Sequence, residues 1–529
     1  MLSPALFVLL VAVSLIGAVI GIEILTTLGV TPNTSLIGVI VAIGLAKTRL
    51  PWFGGLRSVH AQNLVQTAIS SATFGAANSL LVPVGVPYLL GRPDLAAPML
   101  AGAAAGMLID LGMLYGLFDS RVFPAAAPWP HGRAAAEAIL AGDEGGERRF
   151  VLSVGAIAGA LGASGWLAPV TRGAIGVLPM SAFGVAFIGN VWALALFGLG
   201  LVGGAYAPRV VGLDLNGAYV PHGMMVGAGI AALAQAVRSM SRPEVAAAGP
   251  LPPTTRTARD VWRTLGTGLA VYILAGTLLA LGSGLSQAMS GLSILAWVLF
   301  AAASCVAAQF IVGLSAMHAG WFPAFATSLI FLVIGLACGF PPVAVAVLVG
   351  FVASGGPAFA DAGYDFKAGW ELRSTASRDE EREGRRQQLL AGALGLLVAL
   401  AMVAWLHGSY FARGLFPPVD RVYVATIQSG IDPALSTTLA LWALPGAAIQ
   451  FAGGSSRQIG ILLSTGLLIA NASAGWAVLA GLVIRAALER RRTAEAVLGI
   501  VGAGVIAGDA VWSATAALLR AATAYLVAR

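Results

Sequence analysis

The chain is poor in charge. Only 10% of its 529 residues are Asp, Glu, Lys or Arg, while 58% are hydrophobic; soluble domains carry about 25% charge. So few ionised groups cannot cover a soluble surface of this size, and lipid is the expected solvent. Lysine is nearly missing: Lys47 and Lys367 are the only two, so the net charge of +7 rests on arginine. No stretch interleaves basic and aromatic residues as a nucleic-acid groove would, so no nucleic acid is expected as a partner, and the positive balance reads as loop charge facing a cytoplasm. Cys305 and Cys338 are the only cysteines, both in apolar runs; this excludes a disulfide framework and a Cys-based zinc site. Neither lysine stands in Gly-Lys-Ser/Thr and none of the five histidines in HExxH, which excludes a Walker A loop and a zincin centre. No cofactor and no metal site is expected.

What the chain has instead is a succession of apolar runs. The first, "MLSPALFVLLVAVSLIGAVIGIEILTTLGV", lacks a basic start and exceeds a signal's apolar core, so it is expected to be a first span. Runs recur to the other end, and together they predict an all-α polytopic membrane protein with roughly 14–16 transmembrane helices. The 68 glycines and breaks such as "VPVGVPYLLG", "GFPPVAVAVLVG" and "ALPGAA" predict closely packed, broken or re-entrant helices. Residues 1–263 and 264–529 are read as two membrane halves, a candidate inverted repeat.

Charge gathers in the connections, expected near residues 118–149, 238–263 and 358–387. Smaller basic groups lie at Lys47, Arg49 and Arg57 and at "ERRR" (Glu489–Arg492). The positive-inside rule puts these loops on one side. That requires an even number of crossings between Phe150 and Val237, where three runs are clear; either "GAIGVLPMSAFGVAFIGNV" is a further short span or the boundaries differ. Within "WPHGRAAAEAILAGDEGGERR" (Trp129–Arg149), a short helix is expected from Arg133 to Leu140. Gly142 would stop it and leave Asp143 and Glu144 in a solvated turn. This segment reads as a coupling helix or as a plain linker.

Ionisable groups inside spans cost a few kcal/mol on insertion scales, so each needs a reason. Glu23, Asp110 and Asp509 are candidates for proton coupling. The alternatives are an interfacial position for Glu23, a bond across helices for Asp110 and a structural pair for Asp509. His318 is a candidate on the substrate pathway, or a bonded interfacial histidine. Asn63, Gln66, Thr67 and Ser70 recur at spacings of three and four, a polar stripe that faces a wet pathway or another helix. Asn190 and Asn216 are further polar positions. "GASG" (Gly162–Gly165) matches the nucleophile motif of rhomboid proteases, with Ser164 as attacking residue, but four small residues recur readily in so Gly- and Ala-rich a chain.

"GIEILTTLGVTPNTSLIGVIVAIGLAK", "NLVQTAISSATFG", the Trp129–Gly146 segment, "YAPRVVG", "YDFKAGWEL" with Gln387–Gln388, "SRQIGILLSTGLLI" and "GVIAGDAVW" together resemble the oligopeptide transporter (OPT) family, which includes the yellow-stripe-like metal-chelate carriers. The resemblance runs through most of the chain in the same order. It implies a many-span, alternating-access carrier of the bacterial inner membrane that takes up short peptides or metal chelates with protons. It leaves room for a homodimer. Residues carried over from it are Gln66, Pro130, Gly132, Asp365, Lys367, Gly369, Gly460 and Asp509. Where many relatives show a Ser-Asn-Asn-Pro-like break, this chain has "GLSAMHAGWFP", which leaves substrate and coupling ion open. An exporter, a carrier of another organic solute, a channel and an intramembrane serine protease are the alternative readings.

Overall fold

In lipid, backbone N–H and C=O groups have no water to bond, so a chain this apolar must satisfy them within each segment, as helix. The computed structural model describes residues 4–28, 35–46, 57–166, 177–241, 254–430, 433–489 and 494–527, and among them helix is the regular structure, with one isolated bridge between Phe118 and Phe123. The first half holds α1 (Pro4–Leu28), α2 (Ser35–Ala46), α3 (Val59–Leu89), α4 (Ala96–Leu117), α5 (Pro130–Glu144), α6 (Gly146–Ala163), α7 (Met180–Val185), α8 (Val191–Val210) and α9 (Val220–Ser241). The second holds α10 (Ala258–Gly282), α11 (Gly291–Ala319), α12 (Ala324–Ala337), α13 (Pro342–Leu372), α14 (Arg378–Ala412), α15 (Pro418–Ser429), α16 (Pro433–Gly453), α17 (Ile459–Ile469), α18 (Ala472–Leu488) and α19 (Ala494–Val527).

Among the described residues nine helices are long and apolar enough to cross a membrane: α1, α3, α4, α8, α9, α10, α11, α13 and α14. The protein is an all-α, multi-pass membrane protein. The expected roughly 14–16 spans also counted runs that form shorter apolar helices: α12, α17, α18 and the Val497–Ser513 part of α19. With 14 and 11 residues, α12 and α17 are about 21 and 16 Å long, short of the roughly 30 Å hydrocarbon core.

Among its described residues, "GAIGVLPMSAFGVAFIGNV" forms no helix long enough to span. Its described part is the six-residue α7 and a turn to Asn190, whose N–H bonds the His318 carbonyl at 2.8 Å. The charged connections nevertheless meet at one end of the molecule. Thr255 and Arg256 donate backbone N–H groups to Asp119, at 2.9 and 3.1 Å, and Arg385 reaches Thr255 Oγ1 at 3.0 Å. Lys47, Arg49, Arg242 and residues 490–492 lie outside the described residues.

The charged Trp129–Arg149 stretch folds differently from the expectation. Its helix runs from Pro130 through Gly142 to Glu144. Gly142 does not end it, because there the helix packs against Ile43 of α2. The stop comes at Gly145, whose φ of 76° suits glycine. Asp143 and Glu144 are therefore helical. Arg148, at the start of α6, bonds both Glu137 and Glu144, and Arg149 donates to the Gly142 carbonyl at 2.8 Å. The charges tie α5 to α6 across the corner, and α5 buries Gly132, Ala134, Ala135, Ala138 and Ile139 against its neighbours.

Two helices occupy the centre. The most apolar window of α3 is 100% buried and that of α13 94%, against 28% for α10. Around α13 pack α3, α4, α5, α11 and α12. Elsewhere helices of the two halves pair in reversed order: α6 with α19, α8 with α17, α9 with α16. Small residues let these backbones touch. Gly227 faces the Ala443 backbone and Gly446 the Met224 backbone; Gly155 and Gly508 do the same between α6 and α19.

Candidate functional site

α3 turns its polar residues inward. Asn63, Gln66, Thr67, Ser70 and Ser71 are all buried on neighbouring turns of one helix. Facing them on α13 are Asp361 and Asp365, equally buried and one helical turn apart. Ser70 donates to Asp361 Oδ1, and Ser71 reaches Asp361 Oδ2 at 3.2 Å and Asp365 Oδ2 at 3.4 Å. Gln66 Nε2 donates to Asp365 Oδ1 at 2.5 Å. The donors are hydroxyls and an amide; no described Lys or Arg forms an ion pair with either carboxylate. Lys367, two residues beyond Asp365, turns away: its ammonium bonds the Ala125 carbonyl at 2.9 Å, pairs with Glu371 at 2.8 Å and lies 4.5 Å from the centre of the Trp370 ring. Asn63 lies a turn before Gln66, both its amide atoms buried without a hydrogen-bond partner.

From this pair a polar line leads to the charged end. Gln388 of α14 donates Nε2 to the Asp365 main-chain oxygen at 2.5 Å and lies 3.4 Å from Thr67 Oγ1; its Oε1 accepts from Arg373 at 2.8 Å. Burial pulls the Arg373 guanidinium down to about 10; Glu381 opposes this and Arg385 adds to it. Beyond Arg373 a cleft of about 370 Å³ opens, lined by His60, Asp379, Glu383 and Gln387 among others.

The family-motif residues frame this region. Gly132 faces the Tyr364 carbonyl and Lys367, and Gly369 faces Gln388 Oε1. Pro130 begins α5 and meets Gly320. Gly363 lies so close to the Trp129 ring that a Cβ would collide with it.

Other sequence-named residues lie apart from the pair. Asp110 accepts from Tyr272 of α10 and Gln309 of α11, and Gln309 also bonds Tyr272 Oη at 3.0 Å. Glu23 accepts from Tyr410 Oη at 2.7 Å. Asp509 accepts from the Ser181 N–H at 2.6 Å and Ser513 Oγ at 3.3 Å. His318 belongs to a second polar group, where three helix breaks meet. Asn190 Nδ2 lies 3.4 Å from His318 Nδ1 and donates to the Ser456 carbonyl at 3.0 Å, while His318 Nε2 is buried without a partner. Gly460, just past Ser456, gives its N–H to Gln450 Oε1 at 3.0 Å, and Gln450 bonds Gln458 and Gln235. Asn216 donates to the Leu468 carbonyl at 3.2 Å. Ser164 ends α6 with its hydroxyl on the Leu161 carbonyl at 2.8 Å, and no histidine bonds it.

Sequence reasoning missed Asp361 and Arg373. Asp361 was detectable: "FADAGYDF" puts two carboxylates four residues apart in an apolar run, one above the other on a helix. Arg373 carries no such signal among the many arginines of its loop. No group of three or more His, Cys, Asp or Glu among the described residues is placed to hold a metal ion.

No curated protein matches the chain. The family model described as OPT oligopeptide transporter protein matches residues 2–236, which run from α1 into α9 and include the polar face of α3. Over residues 2–236 the chain is thus similar to the OPT oligopeptide transporter family, and its membrane-crossing helices surround a buried polar centre.

Proposed function

We propose that this transporter is a proton-coupled importer of short peptides, or of metal chelates of similar size and polarity, in a bacterial inner membrane, and that Asp361 and Asp365 are its proton site. The observation that carries the reading is the carboxylate pair itself: two acids one turn apart on the central helix, held by Gln66, Ser70 and Ser71. Two adjacent carboxylates without a cation are neutralised by protons or by a cation arriving from outside, so such a pair takes up an ion and gives it back. Buried amides suit a peptide, whose backbone offers donors and acceptors in alternation. Asn63 on α3 and the Asn190, Gln450 and Gln458 group at the helix breaks supply them. The end rich in arginine, with Arg256, Arg378, Arg382 and Arg385, faces the cytoplasm under the positive-inside rule. Short helices such as α12 and α17 are the elements expected to shift as access alternates. Asp110, Glu23 and Asp509 we assign to tying helices together.

The test is uptake of a labelled tripeptide into proteoliposomes under an imposed pH gradient. Wild type accumulates the peptide, whereas the Asp361→Asn/Asp365→Asn variant exchanges it without accumulating it. Undiminished accumulation in that variant rejects the assignment.

A further inference from the structure

Arg373 stands between the carboxylate pair and the solvent-facing cleft, and it is held unlike the other buried arginine of this region. Arg385 is 1% exposed in its side chain and engaged at both ends, with only Nε lacking a partner: Nη1 bonds the Phe118 carbonyl at 2.8 Å, and Nη2 bonds Glu381 at 2.8 Å and Thr255 at 3.0 Å. Arg373 is 11% exposed and makes one short bond, from Nη2 to Gln388, with Glu381 at 3.8 Å. Its Nε and Nη1 are buried without partners. Shape holds it in place: a Cβ on Gly384 would come within 2.6 Å of Nε, and one on Gly369 within 2.6 Å of Nη2. The guanidinium thus occupies a slot that only glycines on α13 and α14 leave open.

Gln388 bridges Arg373 to the backbone of Asp365 and touches Thr67. An amide does not pass protons, so this contact is a barrier and not a wire. Beyond it the cleft is lined by His60 of α3 and by Asp379, Glu380 and Glu383 of α14. The charges around Arg373 are Glu381, Arg385 and the three cleft acids on α14, with His60 on α3; Glu371 on the preceding helix is paired with Lys367. A positive charge seated between the cleft and the pair repels an incoming proton.

We propose that the cleft is the cytoplasmic mouth of the proton path to Asp361 and Asp365, and that Arg373, wedged between Gly369 and Gly384, is the electrostatic plug that keeps protons from crossing when no substrate moves. Displacing the Arg373–Gln388 contact admits water to Asp365, which releases its proton to the cleft. This rests on the proton coupling proposed above.

The experiment measures substrate-free proton flux into proteoliposomes under an imposed membrane potential, alongside peptide uptake. Arg373→Gln raises the flux by about tenfold or more, the scale of removing one charge interaction in a poorly screened site, and lowers the peptide accumulation ratio. Adding Asp361→Asn and Asp365→Asn to Arg373→Gln returns the flux to the wild-type level, because the leak runs through the pair. If Arg373→Gln does not fold, Gly384→Ala takes its place, since the added methyl pushes the guanidinium out of its slot while keeping its charge; a smaller rise in flux is expected. Silent variants together with pH-driven wild-type uptake overturn the plug alone, as does a leak that survives loss of both carboxylates. Wild-type uptake that ignores the pH gradient overturns the coupling and the plug together.

Discussion

Asp110 and the Asp361–Asp365 pair are all buried carboxylates within membrane helices, and both centres touch α13, yet their surroundings differ in kind. Asp110 is the hub of a local knot: Tyr272 and Gln309 both donate to its Oδ1 and bond each other, so α4, α10 and α11 are tied at one point, packed against Gly355, while its Oδ2 is buried without a partner. The pair has its partners distributed over three side chains of α3 and sits one glutamine away from an arginine at the edge of a cleft. A buried acid is thus no sign of coupling by itself. What matters is whether its partners close around it or lead away to water.

The comparison breaks most sharply on function. Beyond the loss of accumulation expected for the Asp361→Asn/Asp365→Asn variant, its thermal stability in detergent should stay within about 1 kcal/mol of wild type, because amides retain hydrogen bonds with the hydroxyl and amide partners. Asp110→Ala should do the reverse. It strands a buried phenol and a buried amide, so unfolding should become easier by about 2–3 kcal/mol while peptide uptake by the folded fraction keeps its response to pH. Equal loss of pH response in both variants would erase the distinction drawn between the two centres.

Tyr272→Phe gives a finer cut, removing one donor from the knot without opening a cavity. A loss of about 1 kcal/mol is expected from melting curves, with uptake unchanged.

The last prediction concerns His131, whose effect appears only as the pH is lowered. Its ring stacks edge-on against Tyr364, the neighbour of Asp365, at 5.1 Å between centroids. Burial lowers its pKa from 6.5 to about 4, and a bond to the Gly320 backbone opposes the fall. Between those values the unfolded chain binds a proton that the folded one refuses. Stability is therefore full above about 6.5 and declines as pH falls toward about 4, by at most about 1.4 kcal/mol per pH unit. His131→Gln should remove that slope. An identical slope in wild type and variant, measured by melting temperature against pH, would mean that the ring does not titrate on unfolding.

Much of this was legible in the sequence, but unevenly. The stripe on α3 was readable because helical spacing alone puts Gln66, Thr67 and Ser70 on neighbouring turns, and Asp365 came with the family resemblance. The end of α5 was misjudged at Gly142, since a glycine that serves packing looks the same in a sequence as one that stops a helix; only φ at Gly145 tells them apart. The meeting of three helix ends at Asn190 left no trace, because Asn190, His318 and Ser456 lie far apart along the chain.

By itself the sequence determined the solvent and the secondary structure: so little charge and so many long, continuously apolar runs call for lipid outside and helix within the runs, where each segment satisfies its own backbone. It also determined which residues would be costly to bury. The tertiary structure alone decided their partners. Gln66 meets Asp365 across 299 residues and Tyr272 meets Asp110 across 162. Those meetings depend on how closely helices approach at glycine and alanine contacts, and such contacts are too common along this chain for any one of them to be singled out in advance.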